Sequence, residues 1–87
     1  MKIVFHKKFE KDFKKLDPVI KKKFIEKKAV FEKDPSSHVL KNHQLFGEYL
    51  GYRSINITND YRALYYFDEE KDVYVFVRVG THSQLYK

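Results

Sequence analysis

Cysteine is absent from this 87-residue chain, which removes disulfides, thiolate zinc ligands and a thiol nucleophile from consideration. Glycine is scarce, and its three copies stand apart at positions 47, 51 and 80. A Gly-rich loop that cradles phosphates is therefore missing, which argues against an NTPase or a dinucleotide enzyme. No apolar stretch approaches the roughly 20 residues of a membrane helix, and the N-terminus has no apolar run of signal-peptide length. Low-complexity tracts, internal repeats and linkers are missing too. These absences leave a soluble cytoplasmic protein with one small domain over residues 1–87 as the expectation.

Aromatic residues are plentiful: eight Phe and seven Tyr supply enough large apolar area for one compact core. The formal charge is +6, and it is unevenly spread. Residues 1–41 hold 13 lysines against 6 acidic residues, a net of +7, whereas residues 42–87 hold 5 basic and 6 acidic residues, a net of −1. A polyanionic partner would meet the first half.

Periodicity divides the chain in the same place. Residues 2–6 have the composition of a short strand, and Phe9, Phe13 and Leu16 then recur at helical spacing. Asp17-Pro18 is an N-cap and first-turn proline pair opening a second helix striped by Ile20, Phe24 and Phe31, with Ile25 and Val30 at its flanks. Asp34 to Ser37 ends it. Beyond Glu48 the period falls to two: Arg53, Ile55 and Ile57 alternate with Tyr52, Ser54 and Asn56. Residues 58–60 form a turn and 61–67 the next strand. Val73, Val75, Val77 and Val79 make one face of a third strand, opposite Tyr74, Phe76 and Arg78. The fold class is α+β, with an N-terminal strand and two helices packed on one face of a small antiparallel sheet, the other face being left for function.

The four histidines, at 6, 38, 43 and 82, lack the spacing of a zincin or a finger, so neither metal nor cofactor is expected. His43 before the sheet, Asp60 in the hairpin turn, and His82 with Tyr86 after the last strand can meet at one sheet edge. Imidazole and carboxylate together suit acid–base cleavage of a phosphodiester. All three arginines, Arg53, Arg62 and Arg78, fall on strands, where a guanidinium could stabilise charge on a phosphoryl group. Each residue also has a structural alternative: His43 as a surface histidine, Asp60 as a turn former, Tyr86 as a core aromatic, and the lysines as a solvated helix face.

Three segments, Leu40-Lys-Asn-His43-Gln-Leu-Phe-Gly47, Gly51-Tyr-Arg53 and Gly80-Thr-His82-Ser-Gln-Leu-Tyr86, resemble the RelE/YafQ toxin superfamily, and the likeness covers residues 39–86. Such toxins cut messenger RNA in the ribosomal A site. The resemblance implies a metal-independent endoribonuclease in which the ribose 2′-hydroxyl attacks the adjacent phosphate. It places His43, Asp60 and His82 in proton transfer or orientation, Arg62 at the phosphate, and Tyr86 in stacking. Arg53, Asn56, Tyr61 and Arg78 would contact RNA, and Lys21, Lys22 and Lys23 would dock on the ribosome. A cognate antitoxin is implied, with operator DNA bound only through their complex. Asn56 departs from the YafQ pattern, which has histidine there, and Tyr61 stands at a tryptophan position. Asparagine can hydrogen-bond RNA but cannot shuttle protons near neutral pH. Two alternatives follow: a ParE-like toxin that poisons gyrase without nuclease chemistry, or a catalytically weakened RNA-binding member. If the lysines dock on RNA, replacing Lys21, Lys22 and Lys23 by Gln is expected to weaken ribosome association and flatten its salt dependence. Association indifferent to both salt and substitution would contradict this.

Overall fold

A computed structural model describes residues 1–86. Strand β1 (Ile3–Phe5) leads into helices α1 (Lys7–Lys14) and α2 (Pro18–Lys33). Strands β2 (His43–Gln44), β3 (Arg53–Asn56), β4 (Tyr61–Asp68) and β5 (Val73–Thr81) follow, and a short helix α3 (His82–Leu85) comes last. The sheet order is β1-β5-β4-β3-β2. Strands β3, β4 and β5 form the expected antiparallel run, β2 adds an antiparallel edge strand that the sequence did not indicate, and β1 joins the edge of β5 in parallel, making the sheet mixed. A strand that returns to the sheet through two helices is free to pair in parallel, which a tight turn forbids.

The first helix starts where His6 leaves the strand. His6 closes β1 by donating its backbone N–H to the Phe76 carbonyl, and its Nδ1 accepts the Lys8 N–H as an N-cap. The second helix begins at Pro18 as its sequence indicates, although the Asp17 side chain makes no capping bond. Both helices bury their stripes on one face of the sheet. Phe9, Phe24 and Phe31 pack there with Ile55, Ile57, Ala63, Tyr65, Phe76 and Val79. Ile25 is not part of that core and stays exposed.

Phe76 is the hub, with ring centroids 5.2–6.1 Å from those of Phe5, Phe9, Phe24, Phe31 and Tyr65. Tilted and edge-on pairs of this kind contribute about 0.5–1.5 kcal/mol each beyond the area they bury.

The register of β4 with β5 shifts between Leu64 and Tyr65, which pair with Arg78 and Phe76. Val77 is thus an inserted residue, and a bulge reverses the phase of the strand. Val73, Val75 and Val77 lie on the face away from the helices, but Val79 turns to the helix side. The uniform valine face expected from alternation is therefore broken at the bulge.

The second face is not bare either. Leu45, Leu64, Leu85 and the three valines form a smaller core there, and Tyr49, Tyr52, Tyr66 and Tyr86 pack over it. Ser54 is fully buried as a result, and among the described residues its hydroxyl has no hydrogen-bond partner. An unpaired buried hydroxyl costs about 1–3 kcal/mol in desolvation. Ser54→Ala is expected to leave stability unchanged or raise it by about 1 kcal/mol in urea unfolding; a loss of that size would show that the hydroxyl is satisfied.

Candidate active site

The end of the sheet holding the β3–β4 turn and the start of α3 collects four of the five residues expected to be catalytic: Asp60, Arg62, His82 and Tyr86. Thr58 Oγ1 accepts the amides of Asp60 and Tyr61, which shapes the turn. Arg62, on β4, folds its guanidinium back over that turn, and its Nη1 donates to the carbonyls of Thr58, Asn59 and Tyr61 at 3.1, 2.7 and 3.3 Å. Asn56 and Gly80 are its neighbours across the ladder. Asp60 itself is exposed, and its backbone carbonyl accepts the His82 N–H at 3.2 Å. The turn and α3 are thereby tied together.

Helix α3 is held by a reciprocal cap: Thr81 Oγ1 accepts the Gln84 N–H at 3.2 Å, and Gln84 Oε1 accepts the Thr81 N–H at 2.9 Å. Gly80 makes room for it, since a Cβ at that position would lie 2.8 Å from Gln84 Oε1. Leu85 is buried and Tyr49 donates its hydroxyl to the Leu85 carbonyl at 2.9 Å. The His82 and Tyr86 rings, one turn apart, sit 4.5 Å centroid to centroid, and Tyr49 meets Tyr86 edge-on at 5.7 Å. His82 is exposed and Tyr86 half-buried.

His43 is an edge-strand residue, not a loop residue, and lies opposite Ser54. Because Ile55 and Ile57 point to the helices, Ser54 and Asn56 point to the other face, as do Arg62 and Leu64. His43 shares that face, two strands across and two residues along from Arg62, roughly 12 Å away at the backbone. An imidazole and a guanidinium reaching inward would bracket one phosphodiester. Asp60, Arg62, His82 and Tyr86 thus cluster at one end of the face, Asn56 lies among them, and His43 stands diagonally across.

The remaining candidates are placed elsewhere. Arg53 pairs with Tyr65 on the helix side, where its Nε donates to Asn42 Oδ1 at 2.8 Å. Tyr61 also packs against the helix-side core. Arg78 reaches over the edge of β5, where β1 has ended and α1 runs alongside. Asp12 of α1 accepts its Nε at 2.7 Å and the Val79 N–H at 3.1 Å, so one carboxylate satisfies both an arginine and a free sheet edge. That hydrogen bond from Arg78 to Asp12 raises the guanidinium pKa further above its already high value. Lys22 and Lys23 are exposed on α2, on the opposite side of the sheet from His43 and Arg62, and the Lys21 ammonium lies 5.8 Å from the Phe13 ring centre.

Sequence reasoning missed α3 and the roles of Asn42, Tyr49 and Thr58. The Thr81-His-Ser-Gln84 spacing was a legible capping signal for α3. Asn42 and Tyr49 act through contacts distant in sequence and left no local signal.

A mixed five-stranded sheet backed by two N-terminal helices is the architecture of the RelE and YafQ toxins. The chain is similar to the crystal structure of YafQ from E. coli strain BL21(DE3), at 25% identity and a TM-score of 0.75 over 98% of this chain and 97% of that one. It is similar to the toxin–antitoxin complex RelBE2 from Mycobacterium tuberculosis, at 27% identity and 0.74, covering 93% and 96%. The E. coli DinJ-YafQ complex matches at 26% identity and 0.72, covering 98% and 97%. No curated protein matches. The model of the YafQ family, bacterial toxins of type II toxin–antitoxin systems, matches residues 1–87, and the chain belongs to that family.

The Asp12 contact is open to a direct check. Asp12→Ala is expected to cost about 1–2 kcal/mol in chemical unfolding, because it strands a half-buried guanidinium and an edge amide. Asp12→Asn, which keeps one acceptor, should lose less. Equal stability of both variants with the parent would contradict the assignment.

Proposed function

We propose that this toxin is a ribosome-dependent, metal-independent endoribonuclease that cleaves messenger RNA in the A site in the cytoplasm. The observation that carries the reading is the gathering of Asp60, Arg62, His82 and Tyr86 at one end of the sheet face that also bears His43. Cleavage by internal transfer needs a base to take the 2′-hydroxyl proton, a cation for the phosphorane charge, and an acid for the 5′-oxygen. The 2′-oxygen bonds to phosphorus, the bond to the 5′-oxygen breaks, and the products are a 2′,3′-cyclic phosphate and a 5′-hydroxyl. Imidazole and carboxylate groups supply the proton transfers.

In this scheme Arg62 meets the phosphate with the part of its fork not spent on the turn carbonyls. His82 exchanges a proton with the reacting oxygens, and Asp60 and His43 transfer protons or orient RNA. Tyr86, steadied by Tyr49, stacks on a base, and Asn56 hydrogen-bonds RNA. Tyr61, Arg53 and Arg78 are removed from direct contact, because their side chains are engaged on the helix side or with Asp12. The lysines of α2 would grip ribosomal RNA from the far side of the sheet. A cognate antitoxin is the natural partner, as in the DinJ-YafQ and RelBE2 complexes, and operator DNA would be met only through it. An acidic antitoxin segment would suit the basic helices.

Asn56 favours a second reading, an RNA-binding member with weakened catalysis. The test is cleavage of messenger RNA on translating ribosomes by the parent, His82→Ala and Asp60→Ala. Asp60→Ala leaves its backbone bond to His82 intact, so the side chain alone is removed. Each variant is expected to cut about 100-fold more slowly or worse. Parent-like cutting by both would refute the site. Ribosome binding without cleavage by the parent would favour the weakened reading, and inhibited DNA supercoiling without cleavage the ParE-like one.

A further inference from the structure

The Asn42 side chain makes three hydrogen bonds to three separate segments. Its Nδ2 donates to the Pro35 carbonyl at 2.8 Å and to the Tyr65 hydroxyl at 2.7 Å, and its Oδ1 accepts from Arg53 Nε at 2.8 Å. A carbonyl only accepts and a guanidinium only donates, so the amide can point only one way. Asn42 therefore pins three things together: the segment leaving α2 at Pro35, strand β3 at Arg53, and strand β4 at Tyr65. Burial raises the Tyr65 phenol above its ordinary pKa, against the lowering effects of Asn42 and Arg53, so its hydroxyl keeps its proton.

On the N-terminal side of this pin the backbone is unusual in a useful way. Lys41 adopts a left-handed conformation, φ +47°, which a lysine takes up only when its surroundings enforce it. That turn brings the Lys41 carbonyl 2.8 Å from Nδ1 of His43. Since the carbonyl can only accept, Nδ1 carries the proton, and in the neutral ring Nε2 is left with its lone pair. Free imidazole side chains favour the opposite arrangement, with the proton on Nε2.

We propose that Arg53 and Asn42 are positioning residues that act through the Lys41 carbonyl to hold His43 as the Nδ1–H tautomer, making His43 Nε2 the atom that accepts the 2′-hydroxyl proton. This rests on the nuclease reading given above and assigns within it which group is the base. It also gives Arg53, already engaged with Asn42 and not with RNA, the part of a strut behind His43.

The tautomer can be read without any nuclease activity, from the imidazole nitrogen resonances of the full-length, ¹⁵N-labelled toxin at a pH above the ordinary histidine range. The parent should show His43 protonated at Nδ1, and Asn42→Ala and Arg53→Ala should shift it towards the Nε2–H form. Parent protein showing Nε2–H would overturn the proposal even if the enzyme cuts RNA. In the ribosome cleavage assay both variants should lower kcat roughly tenfold with KM nearly unchanged, and combining them should add little, since they break one link. A raised KM at constant kcat for Arg53→Ala, restored by Arg53→Lys, would instead mark it as an RNA contact and sink the proposal. Should Asn42→Ala fail to fold, exposed Arg53 and the parent's tautomer still decide the matter. An inactive parent with Nδ1–H at His43 would count against the nuclease reading while leaving the positioning intact.

Discussion

The packing of Phe76 against Phe5, Phe9, Phe24, Phe31 and Tyr65 is the contact on which the arrangement of the molecule turns. It joins β1, both long helices and the two central strands at a single side chain, and it settles which face of the sheet the helices own. The other face and the ends of the sheet carry the residues assigned to chemistry. Immediately after Phe76 the bulge at Val77 reverses the alternation of β5, sending Val79 back under the helices. The strand leaves that bulge so that Gly80 lies beside Arg62 and Thr81 beside Tyr61, and α3 folds over the open face. The position of His82 and Tyr86 is thus a downstream result of a packing decision made in the aromatic core.

Charge is divided along the same boundary. Lysine supplies the helices with a flexible, hydrated positive surface, whereas the arginines sit where a planar fork can hold geometry. Each arginine is engaged differently: Arg62 with turn carbonyls, Arg53 with Asn42, Arg78 with Asp12. Two of the three therefore serve the scaffold, and only Arg62 remains beside His82 and Asp60. An electrostatic reading of the sequence alone would count all three towards RNA.

Much of the fold was legible because its signals are local and periodic. The stripes of Phe9, Phe13 and Leu16 and of Ile20, Phe24 and Phe31 gave both helices, and the period of two gave β3, β4 and β5. The parallel pairing of β1 was not legible, since nothing in residues 3–5 specifies which edge they join. The bulge was hidden as well: valine at 73, 75, 77 and 79 reads as one face, and the extra residue shows only when β4 is laid against it. For the site, the histidines, Asp60, Arg62 and Tyr86 stood out by residue type and through family resemblance. For Arg53, Tyr61 and Arg78 the sequence did not show their partners in the fold: Asn42, the helix-side core, and Asp12 on a helix 66 residues away in sequence. Asn42, with bonds to Pro35, Arg53 and Tyr65, has a role that no sequence window contains.

The family membership fixes the kind of protein, and the face carrying His43, Arg62 and His82 is where its chemistry is assigned. The central claim is that the RNA cuts itself, with the toxin moving protons and holding charge. The most direct measurement is cleavage on programmed ribosomes of a messenger whose scissile nucleotide carries a single 2′-deoxy substitution. The account predicts no cut at that position and a normal cut, ending in a 2′,3′-cyclic phosphate, in the all-ribose control. Equal cleavage of both messengers would contradict it.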